Sequence, residues 1–182
     1  MLQAVFFLLG TLVLAWLSRA SLRQPRSHGF ARFLAWVAIL ALLTLNGPVW
    51  FDDRYSANQL VSWVLLQTSI AVLIVGLYML RRVGKTDRAR DEEQLFAFEK
   101  TSQLVTVGIF RYIRHPMYCS LLLLAWGIFF KQPEWLGLLL ALAASVFLWL
   151  TALRDEEECL AYFGDDYRRY MQRSKRFIPF VL

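Results

Sequence analysis

The sequence has few of the residues that bind metals or cross-link small domains. Its 182 residues include only two cysteines, Cys119 and Cys159, and two histidines, His28 and His115. The cysteines form neither a CxxC pair nor a cluster, so the spacing indicates neither a disulfide framework nor a zinc site. We therefore expect no metal in the function of this chain.

Charged residues are also scarce. They make up 19% of the chain, whereas 58% of it is hydrophobic and the mean hydropathy is +0.44, which is too apolar for an ordinary soluble domain. A net charge of +6 would suit a nucleic-acid-binding protein, but the basic residues lie between apolar runs, as they do in membrane proteins. The sequence therefore favours membrane lipids over nucleic acid as partners, and it gives no indication of the oligomeric state.

Five apolar stretches account for the composition, and they cover residues 1–17, 30–50, 59–80, 117–130 and 135–153. A membrane-spanning helix needs roughly 20 mainly apolar residues. The second, third and fifth stretches meet this length, and the first is slightly short. The fourth has only 14 residues and alone would suit a buried or re-entrant helix, so we expect it to begin earlier or to continue past Phe130. With a turn at 131–134, the last two stretches predict a helical hairpin.

The basic residues predict an orientation. Segments 18–32, 81–116 and 154–182 hold four, eight and six of the 20 Lys and Arg residues, so 18 of them lie on one side of five spans. By the positive-inside rule that side is the cytoplasm. No positive charge precedes the first stretch, so we expect an uncleaved helix rather than a signal peptide. The sequence thus predicts a bacterial inner-membrane protein with its N-terminus outside and its C-terminus in the cytoplasm.

The predicted fold is an all-α, polytopic membrane bundle of five transmembrane helices with a C-terminal amphipathic helix at the membrane surface. Residues 1–182 form one membrane domain. It comprises three N-terminal helices (1–80), a cytoplasmic connection (81–116), a transmembrane hairpin (117–153) and a cytoplasmic tail (154–182).

The tail places an acid on an apolar helical stripe. Spacings of three and four residues predict one amphipathic helix, with this stripe: Glu156, Leu160, Phe163, Tyr167, Tyr170 and Met171. The alternative is that acids 155–158 are simply the solvated start of a surface helix, where negative charge suits the helix dipole.

A cationic segment precedes the fourth stretch. Arg114 and His115 stand before Pro116, which fits the first turn of a helix. The amides of Met117 and Tyr118 would then be donors for an anion at the helix N-terminus. The alternative is an anchor at the lipid headgroups. Since this segment and the tail share the cytoplasmic side, together they favour a ligand of mixed charge with one part in the lipid.

Four pieces of sequence carry a family resemblance. They are LVTVGIFRYIRHPMY (104–118), the apolar hairpin, RDEEECLAYFGDDYRRY (154–170) and FIPF (177–180). This region, a little under half of the chain, resembles the isoprenylcysteine carboxyl methyltransferase and phospholipid methyltransferase superfamily of integral membrane enzymes. The shared pattern is L-V-T-x-G-[YF]-x-x-x-R-H-P-x-Y, a hairpin, a Glu-Glu pair, F-G-x-x-Y and a final proline.

The resemblance implies methyl transfer from S-adenosylmethionine to a lipophilic or membrane-bound acceptor. The implied cofactor-binding residues are Leu104, Val105, Phe110, His115, Pro116, Met117, Tyr118 and Glu156. The implied or candidate catalytic residues are Arg114, Arg154, Glu156 and Glu157. Asp155 stands where the family has its first Glu, a departure for which Glu157 could substitute if the helix is shifted. Phe110 and Ser120 replace the commoner tyrosine and glycine.

Two other functions are compatible with the sequence. One is an NADPH-dependent lipid or sterol reductase, because reductases with a related C-terminal architecture exist. The other is a non-catalytic membrane scaffold or lipid-binding protein. The RHPxY and Glu-Glu pieces favour the methyltransferase over the reductase, whereas a scaffold would keep its function after Glu156→Gln or His115→Ala.

Overall fold

The computed structural model describes residues 1–84 and 103–179, and all regular structure within these ranges is helical. The helices are α1 (Leu2–Leu17), α2 (Arg19–Leu22), α3 (His28–Asn46), α4 (Ala57–Val83), a 3-10 helix (Gly108–Arg111), α5 (Pro116–Phe129), α6 (Trp135–Phe163) and α7 (Asp165–Arg173). The all-α prediction is therefore confirmed for the described ranges. Residues 85–102 of the predicted cytoplasmic connection lie outside them.

Within the described ranges, three helices are long and apolar enough to cross a membrane, namely α3, α4 and α6. They correspond to the second, third and fifth apolar stretches. The helices α1 and α5 are apolar but have only 16 and 14 residues. The expectation that the fourth stretch extends into a longer helix is wrong. Pro116 is its first helical residue, His115 before it is not helical (φ −121°, ψ 62°) and Phe130 closes its end.

The bundle is built mainly from two helix pairs, α3 with α6 and α4 with α5. Small residues at the centre, Ala125, Ala141 and Ala144, are fully buried around Leu42. Short side chains let helix backbones approach closely, which is how helices associate where lipid removes the hydrophobic driving force. The helices α5 and α6 also pack on each other across the short turn at 130–134, as the hairpin prediction requires.

Polar side chains fasten the end of the bundle formed by this turn. Lys131 is buried, and its Nζ donates to Oε1 of Gln59 at 3.0 Å and lies 3.4 Å from the ring centroid of Trp63. Asn46 Nδ2 donates to the carbonyl oxygen of Ile128 at 3.0 Å. The ammonium is thus held by an amide oxygen and an aromatic face, and it ties the hairpin turn to α4.

The tail differs from the single amphipathic helix predicted from residue 154. The span helix α6 continues ten residues past the predicted end at 153, and stops at Phe163. Gly164 has φ +58°, a conformation that side-chain-bearing residues rarely adopt, and the chain turns there into α7. The predicted faces are nevertheless present, because Tyr167 and Tyr170 are buried while Asp165 and Asp166 are exposed.

After α7 the chain returns along the segment before α5. The backbone N–H of Arg114 donates to the carbonyl of Lys175 at 2.7 Å, and that of His115 donates to the carbonyl of Arg176 at 3.1 Å. Phe177 is buried among Tyr118 and neighbouring residues of α3 and α6. The starts of α3 and α5 and the later part of α6 therefore meet this tail at one end of the bundle, where the end of α4 packs on the 3-10 helix.

Candidate active site

A cleft opens at this end of the bundle, between the segment before α5, the last turns of α6, and α7. Seven of the eight predicted cofactor-binding residues line it: Leu104, Val105, Phe110, His115, Pro116, Met117 and Tyr118. Arg114 lines it as well. The structure therefore brings eight residues of the 104–118 motif around one cleft, although the residues at 85–102 that lead into it lie outside the described ranges.

A tight turn places the aromatic side chain of this motif. Gly108 has φ +61°, and a Cβ there would come within 2.8 Å of the Met79 side chain. Both the backbone conformation and the lack of space therefore favour glycine at this position. The 3-10 helix that follows buries Phe110. Its carbonyl accepts a hydrogen bond from the hydroxyl of Tyr170 at 2.6 Å. The turn is thereby held between α4 and α7.

Glu156 lies beside the cleft rather than in its wall. It is 2% exposed and accepts hydrogen bonds from Nε of Arg114 at 2.9 Å and from Nε and Nη2 of Arg176 at 3.0 and 2.9 Å. Its Oε1 is 3.3 Å from Nε2 of His115. Charge-assisted bonds of this kind are strong. Glu156 therefore ties α6 to the segment before α5 and to the returning tail.

Asp155 is the acid that lines the cleft. One of its oxygens, Oδ2, accepts a hydrogen bond from the Tyr118 hydroxyl at 3.1 Å and lies 3.4 Å from Nδ1 of His115. Cys159 and Phe163 follow at one-turn spacings and also line the cleft. The position at which the sequence departs from the Glu-Glu pattern thus supplies a carboxylate to the cleft wall.

His115 lies between the two acids and is 5% exposed. Burial lowers its pKa, but hydrogen bonds and charges from Asp155 and Glu156 outweigh burial and raise the pKa above the usual 6.5. Its ring stacks on Tyr118 with centroids 5.3 Å apart. His115 therefore holds its proton firmly, between Asp155 in the cleft wall and Glu156 beside the cleft.

Two tyrosines of α7 complete the opposite wall. Burial raises the pKa of both Tyr167 and Tyr170, so both hydroxyls stay protonated. Tyr170 is already bonded to Phe110, whereas the Tyr167 hydroxyl makes no hydrogen bond with any part of the chain that the structure describes. Since Tyr167 is 3% exposed and lines the cleft, its hydroxyl is available to a ligand there.

Two predicted catalytic residues lie away from the cleft. Arg154 donates from Nη1 to the carbonyls of Pro25 at 2.9 Å and Ser27 at 3.2 Å. Glu157 is exposed. Successive residues of a helix point about 100° apart, so 154, 155, 156 and 157 cannot all face one cleft. Their assignment to catalysis stays a prediction.

One cluster within the described ranges has the spacing of metal ligands. A ring nitrogen of His28 and carboxylate oxygens of Asp155 and Glu158 lie within 4.8 Å of one another. Glu158, however, accepts from the His28 backbone N at 3.0 Å and lies 2.6 Å from its Nδ1. Hydrogen bonds within the protein account for the cluster, so we assign no metal to it.

Several cleft residues were not among the predicted site residues. They are Leu80, Asp155, Cys159, Phe163, Tyr167 and Tyr170. Phe163, Tyr167 and Tyr170 belong to the apolar stripe of the tail, which was a sufficient signal to include them. No local pattern marks Leu80 or Cys159, because their place depends on how α4 and α6 pack.

Comparison with known proteins gives a family match over the region that forms the cleft. The family model described as phospholipid methyltransferase matches residues 66–165, more than half of the chain. No solved structure matches this chain.

Three curated relatives are similar over different lengths. Protein-S-isoprenylcysteine O-methyltransferase of Schizosaccharomyces pombe is 28% identical over 165 residues, which cover 85% of this chain and 70% of that protein. Methanethiol S-methyltransferase of Mycobacterium tuberculosis is 23% identical over 155 residues, 80% of this chain and 61% of that protein. Methanethiol S-methyltransferase 1 of Bradyrhizobium diazoefficiens is 27% identical over 71 residues, 39% of this chain and 24% of that protein.

Proposed function

Because the chain belongs to the phospholipid methyltransferase family, we propose that it is an integral membrane methyltransferase that uses S-adenosylmethionine. The observation that carries this proposal is the cleft itself. It gathers the 104–118 motif, Asp155 and the α7 tyrosines at one end of an apolar bundle. These pieces lie far apart in the sequence, and the fold brings them together at the cleft.

The donor set of the cleft fits such a cofactor. S-adenosylmethionine carries a sulfonium and an amine, both positive, beside a carboxylate and an adenosine. Aromatic faces at Phe110, Tyr118 and Tyr167 attract a cation, each by about 0.5–2 kcal/mol. Asp155 supplies a carboxylate for a positive group, and the Tyr167 hydroxyl supplies a donor. Leu104, Val105 and Met117 add apolar surface for a flat ring.

The residues of the chain would act by alignment and by excluding water. When bound, the cofactor supplies an electrophilic methyl group, whose carbon forms a bond with a lone pair of the acceptor as its bond to sulfur breaks. Such a displacement depends on holding the reacting atoms in line, and positioning can contribute about 7–11 kcal/mol. Arg114 lines the cleft with its guanidinium bonded to Glu156 and to the Met171 carbonyl, so it would orient an anionic acceptor by exchanging one of these partners. The proton of a neutral acceptor would pass to solvent.

The acceptor proposed here is lipophilic or membrane-associated, with a carboxylate, amine or thiol as the methylated group. The relatives are named for O-methylation and S-methylation, so the family permits more than one acceptor atom. Apolar side chains of Leu80 and Phe163 in the cleft favour an acceptor with an apolar body.

We further propose that α1 and α5 also cross the membrane, giving five spans with the cleft on the cytoplasmic side and α7 at the interface. The distribution of Lys and Arg supports this orientation. Single cysteines introduced at exposed Tyr55 and Arg173 of a Cys119→Ser, Cys159→Ser protein would test the orientation and the crossing by α5. A membrane-impermeant maleimide should label residue 55 from outside intact cells and residue 173 only after lysis.

Calorimetric titration of the purified protein in detergent with S-adenosylhomocysteine tests the cofactor. We expect saturable binding in the micromolar range. No binding at millimolar ligand by a folded sample would overturn the proposal, and binding of NADPH in its place would indicate a reductase. Incubating labelled S-adenosylmethionine with membranes and identifying the labelled product would then define the acceptor.

A further inference from the structure

The last two turns of α6 hold the segment that leads into α3. Arg154 binds the carbonyls of Pro25 and Ser27, and one turn later Glu158 binds His28 through both of its oxygens. His28 and Glu158 are 130 positions apart in the sequence. The N-terminal part of the chain is thereby fastened to the helix that forms the acidic wall of the cleft.

The environment of His28 is unusual for a residue that only packs. The residue is fully buried, and while Nδ1 lies 2.6 Å from Glu158, Nε2 has no hydrogen-bond partner in the described ranges. Buried polar atoms are nearly always bonded, and leaving one without a partner costs free energy. An apolar side chain of similar size would fill the same space without this cost. A histidine at this position is therefore better explained by the charge that its ring can carry than by packing.

That role is indicated by what surrounds the ring. A ring nitrogen of His28 and oxygens of Asp155 and Glu158 lie within 4.8 Å of one another. Asp155 lines the cleft, and Glu158 does not. The other charged groups near these three are Arg32 on α3 and His115 across Asp155. Two carboxylates so close together repel each other, and a protonated ring beside both offsets that repulsion.

We propose that His28 is a positioning residue of the cleft, which together with Glu158 fixes the charge and the place of Asp155. The N-terminal part of the chain then contributes to ligand binding through Asp155 without touching the ligand. The cofactor named here rests on the proposed function, whereas the coupling of His28 to Asp155 does not. This role depends on the tertiary contact with Glu158, and no sequence motif carries it.

Binding of S-adenosylhomocysteine to four variants tests the proposal. His28→Asn keeps a donor near Nδ1 for Glu158 but removes the ring that offsets the repulsion between Glu158 and Asp155. Asp155 should then move from its place in the cleft wall, and we expect Kd to rise about tenfold. Ser27→Ala is the matched control, because it removes the cap of the same helix, which accepts from Phe30 N, but leaves His28 in place. It should lower the unfolding temperature and leave Kd unchanged. In an Asp155→Asn background, His28→Asn should have no further effect on Kd.

A second readout needs no cofactor. Cys159 lines the cleft, and its Sγ is 3.7 Å from Oδ1 of Asp155. In a Cys119→Ser background, the rate of Cys159 alkylation reports the charge beside the thiol, because only the thiolate reacts. Without the His28 ring the wall is more negative, so His28→Asn should slow alkylation severalfold. Ser27→Ala should not, and His28→Gln replaces His28→Asn if the latter does not fold.

The two readouts separate the two proposals. Slower alkylation in the His28 variant, with no S-adenosylhomocysteine binding by any form, would support the coupling and reject the cofactor. Normal cofactor binding and normal alkylation in a folded His28 variant would overturn the role of His28. Additive effects of His28→Asn and Asp155→Asn would overturn it too, since they would mean that His28 acts independently of Asp155.

Discussion

Nε of Arg114 lies 2.9 Å from Oε1 of Glu156, and this contact joins the segment before α5 to the last turns of α6. Both side chains are buried, at 8% and 3% exposure. Arg176 reaches the same carboxylate from the returning tail. A single acid thus binds cations from two chain segments, and its removal would leave the buried Arg114 without a counter-charge.

Glu156→Gln is therefore expected to lower the free energy of unfolding by about 3–5 kcal/mol, the usual cost of breaking a buried ion pair from one side. Thermal unfolding in detergent measures this. Asp166→Asn, which removes an exposed pair with Arg169 on α7, is the control and should change stability little. A stable Glu156→Gln protein that fails to bind cofactor would instead assign Glu156 a direct contact, as the family pattern predicts.

Asp155→Asn should weaken binding of S-adenosylhomocysteine about tenfold or more while leaving the fold intact. Asparagine keeps an acceptor for the Tyr118 hydroxyl but offers no charge to a positive ligand group. Glu157→Gln, two positions along the same helix and exposed, is the matched control. Calorimetry on both variants compares a cleft acid with a surface acid. Equal affinities would remove Asp155 from the binding site.

Substitutions of the two tyrosines of α7 should have different effects, one on cofactor binding and the other on stability. Tyr167→Phe removes a hydroxyl without a partner in the described ranges, so we expect unchanged stability and severalfold weaker cofactor binding. Tyr170→Phe breaks the hydrogen bond to the Phe110 carbonyl and should cost about 1 kcal/mol of stability. Binding isotherms and melting curves of the pair decide between the two roles. Normal affinity in Tyr167→Phe would show that its hydroxyl does not meet the ligand.

The raised pKa of His115 predicts a pH dependence of stability. Its folded pKa lies above the unfolded value of about 6.5, so the stabilisation is complete below pH 6.5 and is lost as pH rises through the folded pKa. Each unit of difference contributes about 1.4 kcal/mol. Melting temperatures should therefore fall between near-neutral and alkaline pH, and His115→Gln should flatten this slope. An unchanged slope in that variant would show that another group causes the pH dependence of stability.

The sequence was sufficient where a feature depends on neighbours along the chain. Apolar runs predicted the helices, Pro116 marked the start of α5, and the 104–118 motif predicted seven residues that line the cleft. It failed where helix length and rotation matter. The acids at 155–158 continue a span helix instead of starting a surface helix, because Gly164, not the first charged residue, ends it. Only the rotation of α6 shows that, of the four charged residues at 154–157, Asp155 faces the cleft.

Contacts between distant segments were also beyond the sequence. Nothing local to His28 indicates that Glu158 will bind it, and Arg176 carried no signal of its bond to Glu156. Such pairs depend on two helices ending at the same level of the bundle. Their energetics come from burial and charge together, which a single sequence does not display.

The segment 174–177 lies against residues 112–115 through backbone hydrogen bonds, yet it follows every helix of the bundle in the order of synthesis. Helices can pair as they leave the ribosome, but the wall of the cleft cannot be finished until these last residues have emerged. A chain interrupted before Ser174 would carry all of the apolar helices and lack the contacts that hold Arg114 and Glu156. The cleft wall is therefore completed by residues that are synthesised after all of the helices that the structure describes.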